Sequence, residues 1–191
     1  MGITVKGGKK RKAKGGVPLH DLAKLTVTIV KLRMTGHYLP KLLACLEAAD
    51  DRVLWEPHGH PNTIGGIVMH ILEHVRRFTE RLVHPGAAFG SGIEEFFPNR
   101  RIPADELIAE IGKTFRDFQE AISRTPLEKT DWHSLLHLME HTGYHLGQIV
   151  DRTRRLTGRE FRFCQRGIDE KALRRLVEEE LADEDRSGFE P

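Results

Sequence analysis

Residues 133–152 read HSLLHLMEHTGYHLGQIVDR, with histidines at His133, His137, His141 and His145. Four residues are close to one helical turn, so these imidazoles stand almost above one another on one side of a helix. Leu135, Leu138, Leu146 and Ile149 mark the apolar side of that helix, and His141 and His145 fall inside the same stripe. A buried polar ring without a partner is costly. The chain is therefore restricted to folds that bring partners to this helix, and a metal ion best suits two imidazoles at this spacing.

The remaining segments are also helical in pattern. Residues 19–49 carry Leu22, Leu25, Ile29, Leu32 and Met34 at helical spacing, although the β-branched run Thr26–Val30 lowers the propensity. Pro40 predicts a kink or break near Tyr38. DDRVLWEPHGHPN reads as a loop. Asn62 or Thr63 then caps a second helix, with Ile64, Ile67, Val68, Ile71, Leu72, Val75, Phe78 and Leu82 stepping by three and four as far as about His84. PGAAFGSGIEEFFPNRRIP is a long irregular connection, of the kind that crosses a fold or carries function. A third helix opens after Pro103 and buries Leu107, Ile108, Ile111, Phe115, Phe118 and Ile122. The fourth runs from about Asp131 to Leu156 and stops before Gly158. Four amphipathic helices without a convincing strand pair predict an all-α four-helix bundle over 19–160. Residues 161–191 form a C-terminal extension with a short helix near Lys171–Leu181 and a frayed acidic end.

Charge separates the body from its ends. The chain has 30 basic and 28 acidic residues, but residues 1–18 hold six of the bases and no acid; removing them leaves 24 bases against 28 acids. That segment reads as a disordered basic tail, and an acidic body argues against a nucleic-acid-binding domain. With 39% hydrophobic and 30% charged residues, no apolar run of about 20 and no signal-like N-terminus, the expectation is a soluble, cytoplasmic protein without a membrane partner. Cys45 and Cys164 make no disulfide framework, and Cys45 in KLLACLEAA reads as core.

A metal site needs a third ligand from another helix. His70, on the buried side of the second helix, is the best candidate to join His141 and His145. Three neutral imidazoles with one position left to solvent is the open pattern of a reactive site. The donors suit zinc, nickel, copper or iron; zinc and nickel are the first expectation, with iron and manganese behind. HILEH (70–74) and HLMEH (137–141) both match H-x-x-E-H, which would make Glu73 or Glu140 the base of an inverted zinc protease. The motif is short and occurs twice, and the chain lacks the larger domain such proteases need. His74 and His137 read as neighbours of the ligands, His133 as exposed, and His58 and His60 as solvated loop residues. Trp55 and Trp132 read as packing at the ends of the bundle.

NTIGGIVMHILEH followed by HLMEHTGYHLGQIV, with HYLPKLLACLE and LWEPHGHPNTIGGIV ahead, resembles the DinB-like superfamily of metal-binding bundles over roughly residues 36–160. The resemblance implies an up-down-down-up four-helix bundle, often a homodimer. It implies a divalent metal on one histidine of the second helix and two of the fourth, here His70, His141 and His145. Relatives include S-transferases that use bacillithiol or mycothiol and a mycothiol-dependent isomerase. His74 departs from the common pattern, which often has a small polar residue there, and the two charged ends lie outside the family core.

The expected chemistry follows from the ion. A divalent cation lowers the pKa of bound water to about 7 or holds a thiol as its thiolate, and the thiolate would attack an electrophilic carbon of a small substrate. Glu73 or Glu140 would move protons or steady a ligand histidine, with Tyr144 and Gln148 as further donors. Three classes share these residues: a thiol S-transferase, a metal-dependent hydrolase, and a non-catalytic metal or small-ligand module related to stress. An open coordination position favours an enzyme, whereas a fourth protein ligand favours the binding module.

Overall fold

The structure is a computed structural model that describes residues 19–187, and all regular structure among them is helical. The tail expected over 1–18 lies outside the described residues. The first rod is continuous: α1 (Leu19–Leu32), a π-helical segment (Arg33–Tyr38) and α2 (Leu39–Leu46). The β-branched run is helical because Val27, Thr28 and Val30 are buried, and tertiary burial outweighs weak propensity. The interruption expected near Tyr38 is the π-helical segment. Pro40 has no N–H and its ring crowds the carbonyl four residues back. Wider backbone turns ahead of it let the rod continue, with right-handed helical angles at both Leu32 and Leu39.

Part of the expected loop after this rod is a short helix, α3 (Asp51–Trp55). The Asp50 carboxylate accepts the Val53 N–H at 2.8 Å, which caps it. Trp55 is 3% exposed and donates Nε1–H to the Ile102 carbonyl at 2.7 Å. A β-carbon on Gly65 would lie less than 3.0 Å from three carbons of that ring. The glycine is therefore what lets the indole lie against the next helix, α4 (Ile64–Val83). Thr63 is the residue that caps α4, its hydroxyl accepting the Gly66 N–H at 2.9 Å. α5 (Ala104–Arg124) and α6 (Trp132–Thr157) follow, the latter capped by Asp131 through the Ser134 N–H.

Two pairings position the site. α4 and α6 run antiparallel: Arg152 donates to the Asn62 carbonyl at 2.7 Å near one end, and the rings of His74 and His137 face each other farther along. α4 and α5 run in the same direction. Arg76 meets Glu110 at 3.1 Å, the rings of Phe78 and Phe118 lie 6.1 Å apart, and Val83 and Arg124 flank one surface cavity. Parallel neighbours need a long return, which residues 84–103 supply. Ile71, Leu72, Leu107, Ile111, Phe115 and Phe118 are fully buried. Each such side chain stabilises the fold by about 1.5–3 kcal/mol. An unpartnered buried polar group costs about 1–3 kcal/mol, so this core has the margin to carry several imidazoles.

The C-terminal helix is longer than expected. α7 spans Glu170–Ser187 and buries Leu173 and Val177. Its acids fasten it: Glu170 takes both Arg33 nitrogens at 2.7 and 2.9 Å, and Glu180 pairs with the buried Lys31. No helix among the described residues is long and apolar enough to cross a membrane.

Candidate metal centre

α4 presents His70 and His74 one turn apart, and α6 presents His137, His141 and His145. Because the helices are antiparallel, the two sets interleave as a zigzag ladder. His70 lies 4.8 Å from His145 and 4.9 Å from His141 between ring centroids; His74 lies 4.0 Å from His141 and 6.3 Å from His137. The Nε2 atoms of His70 and His141 are 2.8 Å apart. Exposure rises along the ladder. His70 and His145 are buried, His74 and His141 half-buried, and His137 exposed.

Partners on the far side of two rings fix their protons. His70 Nδ1 lies 3.2 Å from the Phe96 carbonyl. A carbonyl only accepts, so Nδ1 carries the hydrogen and the neutral ring offers its Nε2 lone pair. His145 Nδ1 is likewise 2.9 Å from Gln148 Oε1, and the Gln148 amide donates to the Tyr144 hydroxyl at 3.1 Å. Metal-binding histidines are usually oriented in this way. With the His70 hydrogen on Nδ1, it is His141 Nε2–H that donates to His70 Nε2.

Burial keeps the imidazoles neutral. It is the largest influence on His70, His74, His141 and His145, and lowers the pKa of His70 and His145. Repulsion from neighbouring imidazoles adds to it, taking His74 to about 4 and His141 to about 3. Neutral rings are what a cation requires. His74 Nε2 is buried and has no hydrogen-bond partner among the described residues. The nearest acid to it is Glu94, whose Oε1 is 4.0 Å away.

The long connection enters the site here. Phe97 stacks on His70 with centroids 4.2 Å apart, Phe96 supplies the carbonyl, and the short 3-10 turn Ile93–Glu95 carries Glu94. One donor atom from each of His70, His74, Glu94 and His141 lies within 4.8 Å of the others, so these four could hold a metal ion. The unpartnered His74 nitrogen and the imidazole–carboxylate donor set both fit a divalent cation.

Of the expected ligands, His70 and His141 belong to this group, and His145 stands beside it against both. The two glutamates proposed as bases stand elsewhere. Glu73 is held by Arg77 at 2.7 Å, as an i,i+4 pair suits, and Glu140 is exposed and outside the group. Glu94 carried no sequence signal, because its loop has no period. His74 did, since its four-residue step from His70 repeats the step from His141 to His145. Tyr38 rests against α6 at Gly143, where a β-carbon would be 2.8 Å from its hydroxyl. Cys45 is buried and burial pushes its thiol up to about 12, as a packing role requires. Compared with protein-family models, curated proteins and solved structures, the chain gives no significant match.

Proposed function

We propose that this chain is a divalent-metal-binding protein of the DinB-like kind, folded as an up-down-down-up four-helix bundle, and that its ion serves thiol S-transfer to small electrophiles. Support for the topology comes from the pairing directions. α4 runs with α5 and against α6, while the first rod meets α5 through Lys31 and Ser123 and α6 through Tyr38 and Gly143. The observation that carries the metal reading is the meeting of His70 and His141 at 2.8 Å, with His145 beside both and two of the three rings already oriented from behind.

His70, His141 and His145 would hold the ion, which when bound supplies a Lewis acid able to keep a thiol as its thiolate. Phe96 and Gln148 keep two ligand lone pairs aimed inward, and Phe97 shields one face of His70 from water. In the transfer itself the thiol loses its proton, a sulfur–carbon bond forms and the leaving group departs with its bonding electrons. Glu94 is the acid best placed to receive that proton, being exposed and next to the ladder.

A second reading, a binding module without catalysis, is favoured by one observation: His74 and Glu94 bring two more protein donors than an open three-histidine site needs. One set of measurements separates the two. Protein purified without chelator is analysed for metal, and His70→Ala and His141→Ala are compared by metal content and far-ultraviolet circular dichroism. The expectation is about one ion per chain in the wild type and its loss from both variants with helicity intact. Metal content unchanged in both variants contradicts the site. Loss of bacillithiol or mycothiol alongside a small alkyl halide, above a chelated control, supports the enzyme; no loss above that control leaves the binding module.

A further inference from the structure

The ladder offers an ion two places. His70 and His141 form a shared edge. On its buried side stands His145, 6% exposed, with ring centroids 4.8 and 4.5 Å from the two. On its outer side stands His74, with centroids 4.6 and 4.0 Å from the same two. Glu94, whose side chain is 65% exposed, lies within donor range of that outer edge. A neutral imidazole has one lone pair, so His70 and His141 can each serve one place at a time.

We infer that His74 and Glu94 form an outer metal position through which a divalent cation is loaded into, and withdrawn from, the inner position at His145. This rests on the metal reading above and extends it to the route the ion takes. The His74 side chain is 9% exposed, and its Nε2 has no hydrogen-bond partner among the described residues. A buried nitrogen without a hydrogen bond is free to take up a passing ion and to give it up again. Glu94 supplies the charge at the mouth. A carboxylate there attracts a hydrated cation, and exchanging water for imidazole one ligand at a time avoids stripping the ion in a single step. The shared edge lets two ligands stay bound while His74 and Glu94 give way to His145.

The test uses the full chain freed of metal, with Co²⁺ as the probe. Uptake is followed in stopped flow by its visible absorption, removal by excess chelator, and affinity by chelator competition. Glu94→Gln and His74→Phe are expected to slow uptake and removal together by about tenfold, within the range that charged clefts give to association rates, with affinity within about threefold of wild type. His74→Phe leaves the charge unchanged, which separates a relay from simple attraction of the cation. His145→Ala is expected to lower affinity instead. Wild-type rates in both variants would overturn the relay. So would weaker binding through faster release alone, which would make the two residues ordinary ligands. A wild-type chain that takes up no Co²⁺ sinks the metal reading itself, and the relay with it.

Discussion

Replacing Gln148 by leucine tests whether His145 is aimed at an ion. The Gln148 carbonyl oxygen takes the His145 Nδ1–H at 2.9 Å, and His145 is 6% exposed, so water has little access to replace it. Two routes give the size of the effect. Leaving a buried donor unsatisfied costs about 1–3 kcal/mol, and removing the outer partner of a metal-binding histidine typically weakens metal affinity about 10–100-fold. The second figure corresponds to about 1.4–2.7 kcal/mol, so the two agree. The assay is competition against a chromophoric chelator at neutral pH, with circular dichroism and a denaturant midpoint as controls. Gln148→Leu is expected to bind metal 10–100-fold more weakly while remaining helical. Gln148→Glu keeps the acceptor and adds charge, and is expected to bind at least as tightly as wild type. A leucine variant with unchanged affinity would refute the reasoning, because the orientation of His145 would then not matter to the ion.

Gly65→Ala places a β-carbon against the Trp55 ring, which is pinned by its bond to Ile102; the expected loss is about 1–3 kcal/mol in a denaturant titration, and an unchanged midpoint would contradict the packing. The metal-free protein is expected to lose stability in acid. His74 and His141 titrate at about 4 and about 3 in the fold, against an ordinary value near 6.5. Below about 6.5 the unfolded chain therefore binds more protons, and stability falls as pH drops from there through 4 towards 3, while staying flat for these groups above 7. Urea midpoints of the chelated protein across that range check the sign, and a midpoint that rises on acidification would contradict it.

The parts of this architecture that repeat with a helical period were legible in the sequence. Leu107, Ile111, Phe115 and Phe118 declared the buried side of α5, and His141 and His145 declared theirs by standing among Leu138, Leu146 and Ile149. Features that depend on long-range pairing were not legible. The acid-rich end of the chain gave no sign that Glu170 and Glu180 find Arg33 and Lys31 on α1 and its π-helical continuation. Glu94 sits in a loop whose path is set by Phe97 stacking on His70 and by the Phe96 carbonyl, neither of which leaves a period to read.

The ladder belongs to both categories, and this explains why the sequence alone reads His74 and His137 only as neighbours of the ligands. Each helix advertises its histidines, but only the antiparallel register decides which ring meets which. Arg152 on the Asn62 carbonyl is one of the contacts that hold this register. Sliding α6 by one turn, about 5.4 Å, would set His70 against a different pair of rings. It would also carry Gln148 and His145 away from the shared edge. Spacing along one helix thus makes a row of imidazoles, and the contacts between helices turn two rows into a site.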